Sequence, residues 1–253
     1  MKLLETKGLT KAFTIGEKSF LAVDAADLSI GHSECIGLIG ESGSGKSTMA
    51  RMIAGLIQPD AGEIFYKGQP LRREKKKKDS PYREIQMVFQ NAKASFSSRM
   101  TLLNGIMEGL NYYTALDKKE KIARVEEALR MVGLPEQYKA KYNWEISGGE
   151  CQRAAIARAI LIHPSLLICD EITSALDVTV QAQIINLIMD LKDQLSMACL
   201  FISHDLTLVR SICSYVYVMK EGHILEHGPT EEIFKNPRTA YTKILLDSVL
   251  SID

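Results

Sequence analysis

Cys35-Ile36-Gly37-Leu38-Ile39-Gly40-Glu41-Ser42-Gly43-Ser44-Gly45-Lys46-Ser47-Thr48 runs an apolar stretch straight into a glycine-rich loop. Residues 35–39 read as a short strand covered on both faces. Residues 40–48 fit G-x-x-x-x-G-K-[ST], and 46–56 read as the helix this loop opens. Composition alone would produce such a match in about one chain in a hundred of this length. A strand before it and a helix after it lower that further. The glycines let the backbone curl so that successive N–H groups face a polyphosphate, and the helix N-terminus adds positive potential. Lys46 then reaches the β- and γ-phosphates, and the Ser47 hydroxyl can ligate Mg²⁺. The stretch therefore reads as a nucleoside triphosphate site.

Outward from this loop, short apolar runs alternate with helical stretches, the mark of an α/β protein with a mainly parallel sheet. Further strands are expected at 85–89, 166–169, 198–202 and 215–219. Near the start, Leu21–Asp24 and Asp27–Ile30, residues 21–24 and 27–30, suggest two antiparallel strands beside the core. Between Gln90 and His163 the pattern turns almost wholly helical. Residues 118–132 place Ile122, Val125, Leu129 and Val132 at helical spacing with charges elsewhere. The expected organisation is one domain over 1–253. Residues 1–90 and 164–229 form its α/β core, 91–163 an inserted helical subdomain and 230–253 a helical end.

Three further places offer chemistry. Leu166-Leu167-Ile168-Cys169-Asp170-Glu171 is an apolar strand ending in two carboxylates, which would face the crevice at the carboxyl edge of a parallel sheet. Asp170 suits Mg²⁺, through a water, and Glu171 suits a general base for an attacking water. Alone this is a weak signal; with the loop it becomes strong. His204 follows the apolar run 199–203 and can donate to a γ-phosphate or be an ordinary surface residue. Ile146-Ser147-Gly148-Gly149-Glu150 precedes a helix expected over 151–162, so Ser147 is either a simple N-cap or part of a second anion platform.

The chain has 253 residues, with 31 basic against 31 acidic side chains and 46 % hydrophobic residues. That composition excludes disorder, and neutrality argues against a dedicated nucleic-acid binder. No apolar run reaches the ~18 residues of a membrane span. The best, 154–169, is broken by Arg158, His163 and Pro164, and the first residues do not read as a secretory leader. Any work at a membrane would need other chains. Cys35, Cys151, Cys169, Cys199 and Cys213 lack metal-ligand spacing and read as reduced core thiols. The basic run 72–78 reads as a solvated loop. His223 and His227 are four apart on an expected strand, roughly 13 Å, too far to share one ion.

In their order these pieces resemble the ATP-binding subunit of ABC transporters over essentially the whole chain. Residues 40–48 resemble Walker A, Gln90 the Q-loop, Ser147-Gly148-Gly149 the signature and Asp170-Glu171 Walker B. Ser174-Ala175-Leu176-Asp177 resembles the D-loop, and His204 the switch histidine. The resemblance implies a P-loop (RecA-like) fold binding ATP and Mg²⁺, with Ser47, Gln90 and Asp170 around the metal. It also implies catalysis by Lys46, Glu171 and His204, and a head-to-tail dimer in which Ser147–Gly149 of one subunit and Asp177 complete the other's site. Phe13 matches the aromatic that stacks on adenine, or is a core strand aromatic. The signature departs from the family at both ends, with Ile146 and Glu150, and Ile172 stands where proline is usual.

Ile85-Gln86-Met87-Val88-Phe89-Gln90 with residues 94–101, and Tyr241-Thr242-Lys243-Ile244-Leu245-Leu246, resemble peptide/nickel importers. Residues 168–173 and 198–206 lean toward the nickel or metal-chelate members. The chain then looks like the second, shorter ATPase of a machine on the cytoplasmic face of the membrane. Its implied partners are another ATPase or itself, two permease subunits and a solute-binding protein, and no nucleic acid. The rivals are the ATPase of a different ABC transporter class, a non-hydrolysing interaction subunit, which intact Lys46, Glu171 and His204 disfavour, and the DNA-repair or chromosome ATPases. The last insert a long coiled coil between loop and signature, whereas about 100 residues without sustained heptads separate Lys46 from Ser147 here.

Overall fold

The computed structural model describes residues 2–71, 80–174 and 176–250. The basic run 72–78 and Ala175 lie outside the described residues. In chain order the elements are β1 (Lys2–Ile15), β2 (Lys18–Gly31), β3 (Cys35–Ile39), α1 (Lys46–Ile53), β4 (Ala61–Tyr66), β5 (Gln69–Pro70) and β6 (Ile85–Val88). Then follow α2 (Leu102–Tyr113), α3 (Lys118–Met131), α4 (Gly148–Ile160), β7 (Leu166–Asp170), α5 (Val178–Leu195) and β8 (Ala198–Ile202). The chain closes with α6 (Leu206–Ile212), β9 (Tyr215–Lys220), β10 (His223–Pro229), α7 (Thr230–Lys235) and α8 (Ala240–Leu250). They form two compact units, Met1–Arg72 with Ala198–Asp253, and Arg73–Met197.

The first unit holds two sheets. In one the order is β10-β9-β3-β8, with β3 parallel to both β8 and β9 and β10 antiparallel at the edge. All five residues of β3 and of β8 are buried, as two-sided burial demands of an uninterrupted apolar run. The other sheet is antiparallel, in the order β2-β1-β4-β5. Its strand β2 corrects the expectation of two strands at 21–24 and 27–30: it is continuous over Lys18–Gly31. Its buried positions run Val23, Ala26, Leu28, Ile30, so the alternation slips by one residue at Ala25, whose φ is 44°. An irregularity of this kind keeps the ladder while moving the apolar set from one phase to the other. A break in phase therefore reads, in sequence, as a break in the strand.

Helix α1 ends at Ile53, three residues before the expected 56. Gly55 (φ 71°) takes a left-handed turn, and Leu56 N–H donates back to Arg51 O at 2.9 Å, the closing bond of a glycine-terminated helix. In the second unit β6 and β7 pair in parallel, from Ile85↔Leu166 to Val88↔Cys169. Helices α2, α3 and α4 pack on one another. The expected helix at 118–132 is α3, started by a reciprocal Asp117–Glu120 capping box, with Val125, Leu129 and Val132 buried and Ile122 half-buried. Helix α4 starts at Gly148, a turn before the expected 151, because Ser147 caps it. It stops at Ile160 rather than 162, and His163 takes φ 53°. All five cysteines are buried and none is in a disulfide among the described residues; burial pushes the Cys151 thiol up to about 11. Among the described residues no helix is long and apolar enough to cross a membrane.

Candidate functional site

In the first unit, β3 delivers the chain to the loop at the carboxyl edge of its sheet. A Cβ on Gly40 (φ 149°) would lie 2.1 Å from Met219 O, and one on Gly45 (φ 106°) 2.2 Å from Ala22 O, so no side chain fits at either place. Gly222 N–H donates to Ser44 O at 3.0 Å, pinning the loop to the β9–β10 turn. Lys46 is only 4 % exposed. Its Nζ donates to Gly40 O and Glu41 O at 2.7 Å each and to Ser44 Oγ at 3.2 Å. A primary ammonium thus sits inside the ring of the loop's own carbonyls, while Glu41, Ser42 and Gly43 face solvent and Ser47 and Thr48 are half-buried at the start of α1.

The β3–β8 register pairs Leu38 with Ile202, so Ser203 and His204 leave the sheet at the same edge as the loop. His204 is exposed; next to it Asp205 caps α6, accepting from Leu208 N at 2.9 Å. Phe13 lies opposite Phe20 near the β1–β2 turn, ring centroids 6.1 Å apart, with Lys11 Nζ 5.8 Å from its ring. It is half-buried, a partly open aromatic face rather than a core one.

Sequence reading missed Tyr241 in this unit. Its hydroxyl accepts from Glu41 N–H at 3.0 Å, and Lys220 Nζ lies 4.9 Å from its ring. Tyr241 opens the 241–246 stretch that carries the subfamily resemblance, and no local pattern ties residue 241 to residue 41. His223 and His227 fall on β10 as expected and part company: His223 meets Asp24 at 3.6 Å and His227 meets the Tyr215 hydroxyl at 2.7 Å. Among the described residues no cluster of three or more His, Cys, Asp or Glu side chains could hold a metal.

In the second unit β7 buries all five residues and ends at Asp170, 4 % exposed. Glu171 follows at φ 48°, a left-handed turn that lifts it off the strand. Gln90, just past the parallel neighbour β6, donates its Nε2 to Glu171 Oε2 at 3.1 Å and to Ser174 Oγ at 3.0 Å. Three residues read separately in the sequence are thus one hydrogen-bonded group. Ile172, in place of the family's proline, is buried. Asp177 is exposed and caps α5, accepting from Val180 N at 2.9 Å.

The signature segment lies beside this group. A Cβ on Gly149 would come 2.7 Å from Val180 Cγ1, and Gly148 faces Leu176. Ile146 is buried and anchors the segment, while Ser147 is exposed. Ser147 and Glu150 form a reciprocal capping box, and the Tyr138 hydroxyl donates to the other Glu150 oxygen. The Tyr138 bond first, then the Ser147 N–H and hydroxyl, hold the Glu150 carboxyl below the usual range. A cavity of about 360 Å³ opens between Gln90, Lys93, Gly148, Gln152, Ile172 and Leu176. Gln152, 2 % exposed on α4, presents there an amide Nε2 with no hydrogen-bond partner. Two more residues escaped sequence reading. Arg158 donates to Ser95 O and Oγ at 2.6 and 2.8 Å and stacks on Phe96, and Asn143 Nδ2 donates to Lys93 O. Together they fix the segment after Gln90.

A buried lysine inside a glycine-rich loop, at the carboxyl edge of a parallel sheet and the start of a helix, defines a P-loop nucleotide-binding protein. Residues 23–174 match the ABC transporter family. The oligopeptide transport ATP-binding protein OppF of Lactococcus lactis subsp. lactis (strain IL1403) is 43 % identical, over 92 % of this chain and 73 % of its own length. A putative peptide import ATP-binding protein of Brucella abortus (strain 2308) is 41 % identical over 98 % of this chain and 76 % of its own. Among solved structures, cbiO1 from Clostridium perfringens, part of the ABC transporter complex cbiONQ, superposes with a TM-score of 0.78 at 26 % identity, covering 93 % of this chain and 91 % of its own. The ATP-binding cassette MJ0796, dimeric and bound to ADP and Pi, gives 0.79 at 27 %, covering 90 % and 98 %. The chain belongs to the ABC transporter family.

Proposed function

We propose that this chain is the ATP-hydrolysing subunit that powers a membrane importer of di- or oligopeptides. The observation that carries the reading is the Lys46 ammonium, buried and already surrounded by oxygen acceptors inside the phosphate loop. The resemblance left nickel or metal chelates and peptides side by side. Relatives at 40–43 % identity are peptide-import proteins, which supports the peptide side. The chain works as a single ABC domain in a head-to-tail pair with a second cassette or another copy of itself, beneath two permease subunits served by a solute-binding protein. It carries no spanning helix of its own among the described residues, so those permeases hold it at the cytoplasmic face of the membrane.

Its residues divide the work. Phosphate oxygens replace the carbonyls of Gly40 and Glu41 around Lys46, and the N–H groups of residues 43–48 donate to the polyphosphate, with the dipole of α1 behind them. Phe13 offers the adenine a flat apolar face. Ser147 and Gly149, at the start of α4, serve the nucleotide of the partner cassette, and Asp177 links the two. Glu171 takes the proton of the attacking water, and release of its carboxylate from Gln90 frees it to do so. His204 donates to a γ-phosphate oxygen, while ADP departs as the leaving group. The Ser47 hydroxyl, the Asp170 carboxylate and the Gln90 amide oxygen are the kind of hard donors Mg²⁺ takes, and they would hold it. When bound, Mg²⁺ neutralises charge on the phosphates.

Glu171→Gln removes the base while retaining an acceptor of the same shape. The variant binds ATP with near-normal affinity, and its hydrolysis falls on the order of a hundredfold or more. Fluorescent-nucleotide titration and phosphate release check the two halves; normal turnover would remove Glu171 from the mechanism. Peptide-stimulated hydrolysis by the complex purified through a tag on this chain tests the solute class.

A further inference from the structure

Helix α4 begins with more than an ordinary capping box. Ser147 Oγ accepts from Glu150 N–H at 3.3 Å, and Ser147 N–H donates to Glu150 Oε2 at 2.8 Å, the two reciprocal bonds of the box. A third bond runs between the side chains: the Ser147 hydroxyl donates to the same Oε2 at 2.8 Å. The other oxygen, Oε1, takes the Tyr138 hydroxyl from the short helical turn ahead of the signature. A serine hydroxyl has one proton to give, and here it is given to a carboxylate. A phosphate arriving at Ser147 needs that same proton and meets a negative charge next to it.

A glutamine in this place would differ in one respect only. It closes the same box, since Gln serves at N3 as Glu does. Its amide carries no charge, so the oxygen that takes the Ser147 N–H and hydroxyl holds that hydroxyl proton more weakly than a carboxylate does, and a phosphate competes for it on better terms. Tyr138 works in the same sense as Glu150, because its hydroxyl fixes the carboxylate against the helix start, where it holds the Ser147 proton.

We propose that Glu150 is a positioning residue: braced by Tyr138, it keeps the Ser147 hydroxyl turned inward and raises the ATP concentration at which the signature segment engages phosphate. The proposal rests on the reading of Ser147–Gly149 as a phosphate contact for the partner cassette.

ATP hydrolysis by the assembled complex, purified through a tag on this chain, is measured against ATP concentration at low and high salt. Glu150→Gln lowers KM for ATP by about 3- to 10-fold at low salt, a larger change than in kcat. The gap narrows as salt screens the carboxylate. Tyr138→Phe removes the brace and lowers KM in the same direction as Glu150→Gln, by a smaller factor. A purely structural role for Glu150 predicts no salt-sensitive KM shift, and thermal unfolding confirms that the box still closes in the Gln variant. Ser147→Ala separates the two levels of argument. If Ser147→Ala is impaired while Glu150→Gln keeps the wild-type KM, or shifts it without salt dependence, the proposal falls. If Ser147→Ala hydrolyses ATP like wild type, the reading of the signature falls instead.

Discussion

Gly40 and Lys46 show how narrow the tolerances are where the chain turns from strand to loop. At Gly40 a methyl group would sit 2.1 Å from the Met219 carbonyl, and the backbone angle of 149° already disfavours any side chain. Neither obstacle is the end of a flexible side chain, so neither can yield cheaply. Gly40→Ala therefore costs more than about 2 kcal/mol and displaces the Lys46 cage, in which Gly40 supplies a carbonyl. Thermal unfolding together with nucleotide titration checks both effects. A variant with unchanged midpoint and affinity would show that the loop relaxes more freely than its contacts imply. Glu171, with its left-handed φ of 48°, is the other strained residue at a proposed catalytic position, held there by Gln90 and Ser174.

Elements communicate in ways that their own sequences conceal. Helix α8, near the end of the chain, reaches the phosphate loop through Tyr241, whose hydroxyl accepts the Glu41 amide proton. Its burial raises the phenol pKa, so Tyr241 stays neutral across the working range. Tyr241→Phe keeps the ring and deletes the acceptor, leaving a loop N–H without its partner. The expected outcome is a loss of about 1 kcal/mol in stability and a KM for ATP raised a few-fold with little change in kcat. Steady-state kinetics on the two chains checks it; identical KM values would mean that the loop finds its geometry without α8. The segment between Gln90 and α2 depends likewise on distant residues, Arg158 of α4 and Asn143, rather than on its own turns.

Across the molecule, carboxylates set the acid limit. Glu226 on β10 is buried; burial would raise its pKa, but hydrogen bonds from Thr242 and from the Arg238 and Thr239 amides outweigh it, and the carboxyl ends below the usual range. Glu5, Asp60, Glu150 and Glu231 are also lowered, chiefly by Lys2, Lys11, Tyr138 and Lys235 in turn. A lowered folded-state pKa contributes stability above the unfolded value, about 4.3 for glutamate, and loses it as pH falls through the folded value. The unfolding midpoint is therefore flat from neutrality to about pH 5 and drops below that. Glu226→Gln flattens part of the drop; an unchanged acid limb in that variant would remove Glu226 from the account.

The sequence by itself determined which short apolar runs become buried strands, where the glycine-rich loop turns into a helix, and which side chains stand at strand ends. Those are local matters: two-sided burial selects uninterrupted apolar residues, and a loop with forbidden Cβ positions selects glycine. It misread β2, because a single left-handed residue shifts an alternation without ending a strand. Only the tertiary structure decided the longer-range pairings: Tyr241 with Glu41, Gln90 with Glu171, Glu150 with Tyr138. The first two join residues 200 and 81 positions apart. Hydrogen bonds depend on distances of a few tenths of an ångström, which packing of whole elements fixes and which no spacing along the chain encodes.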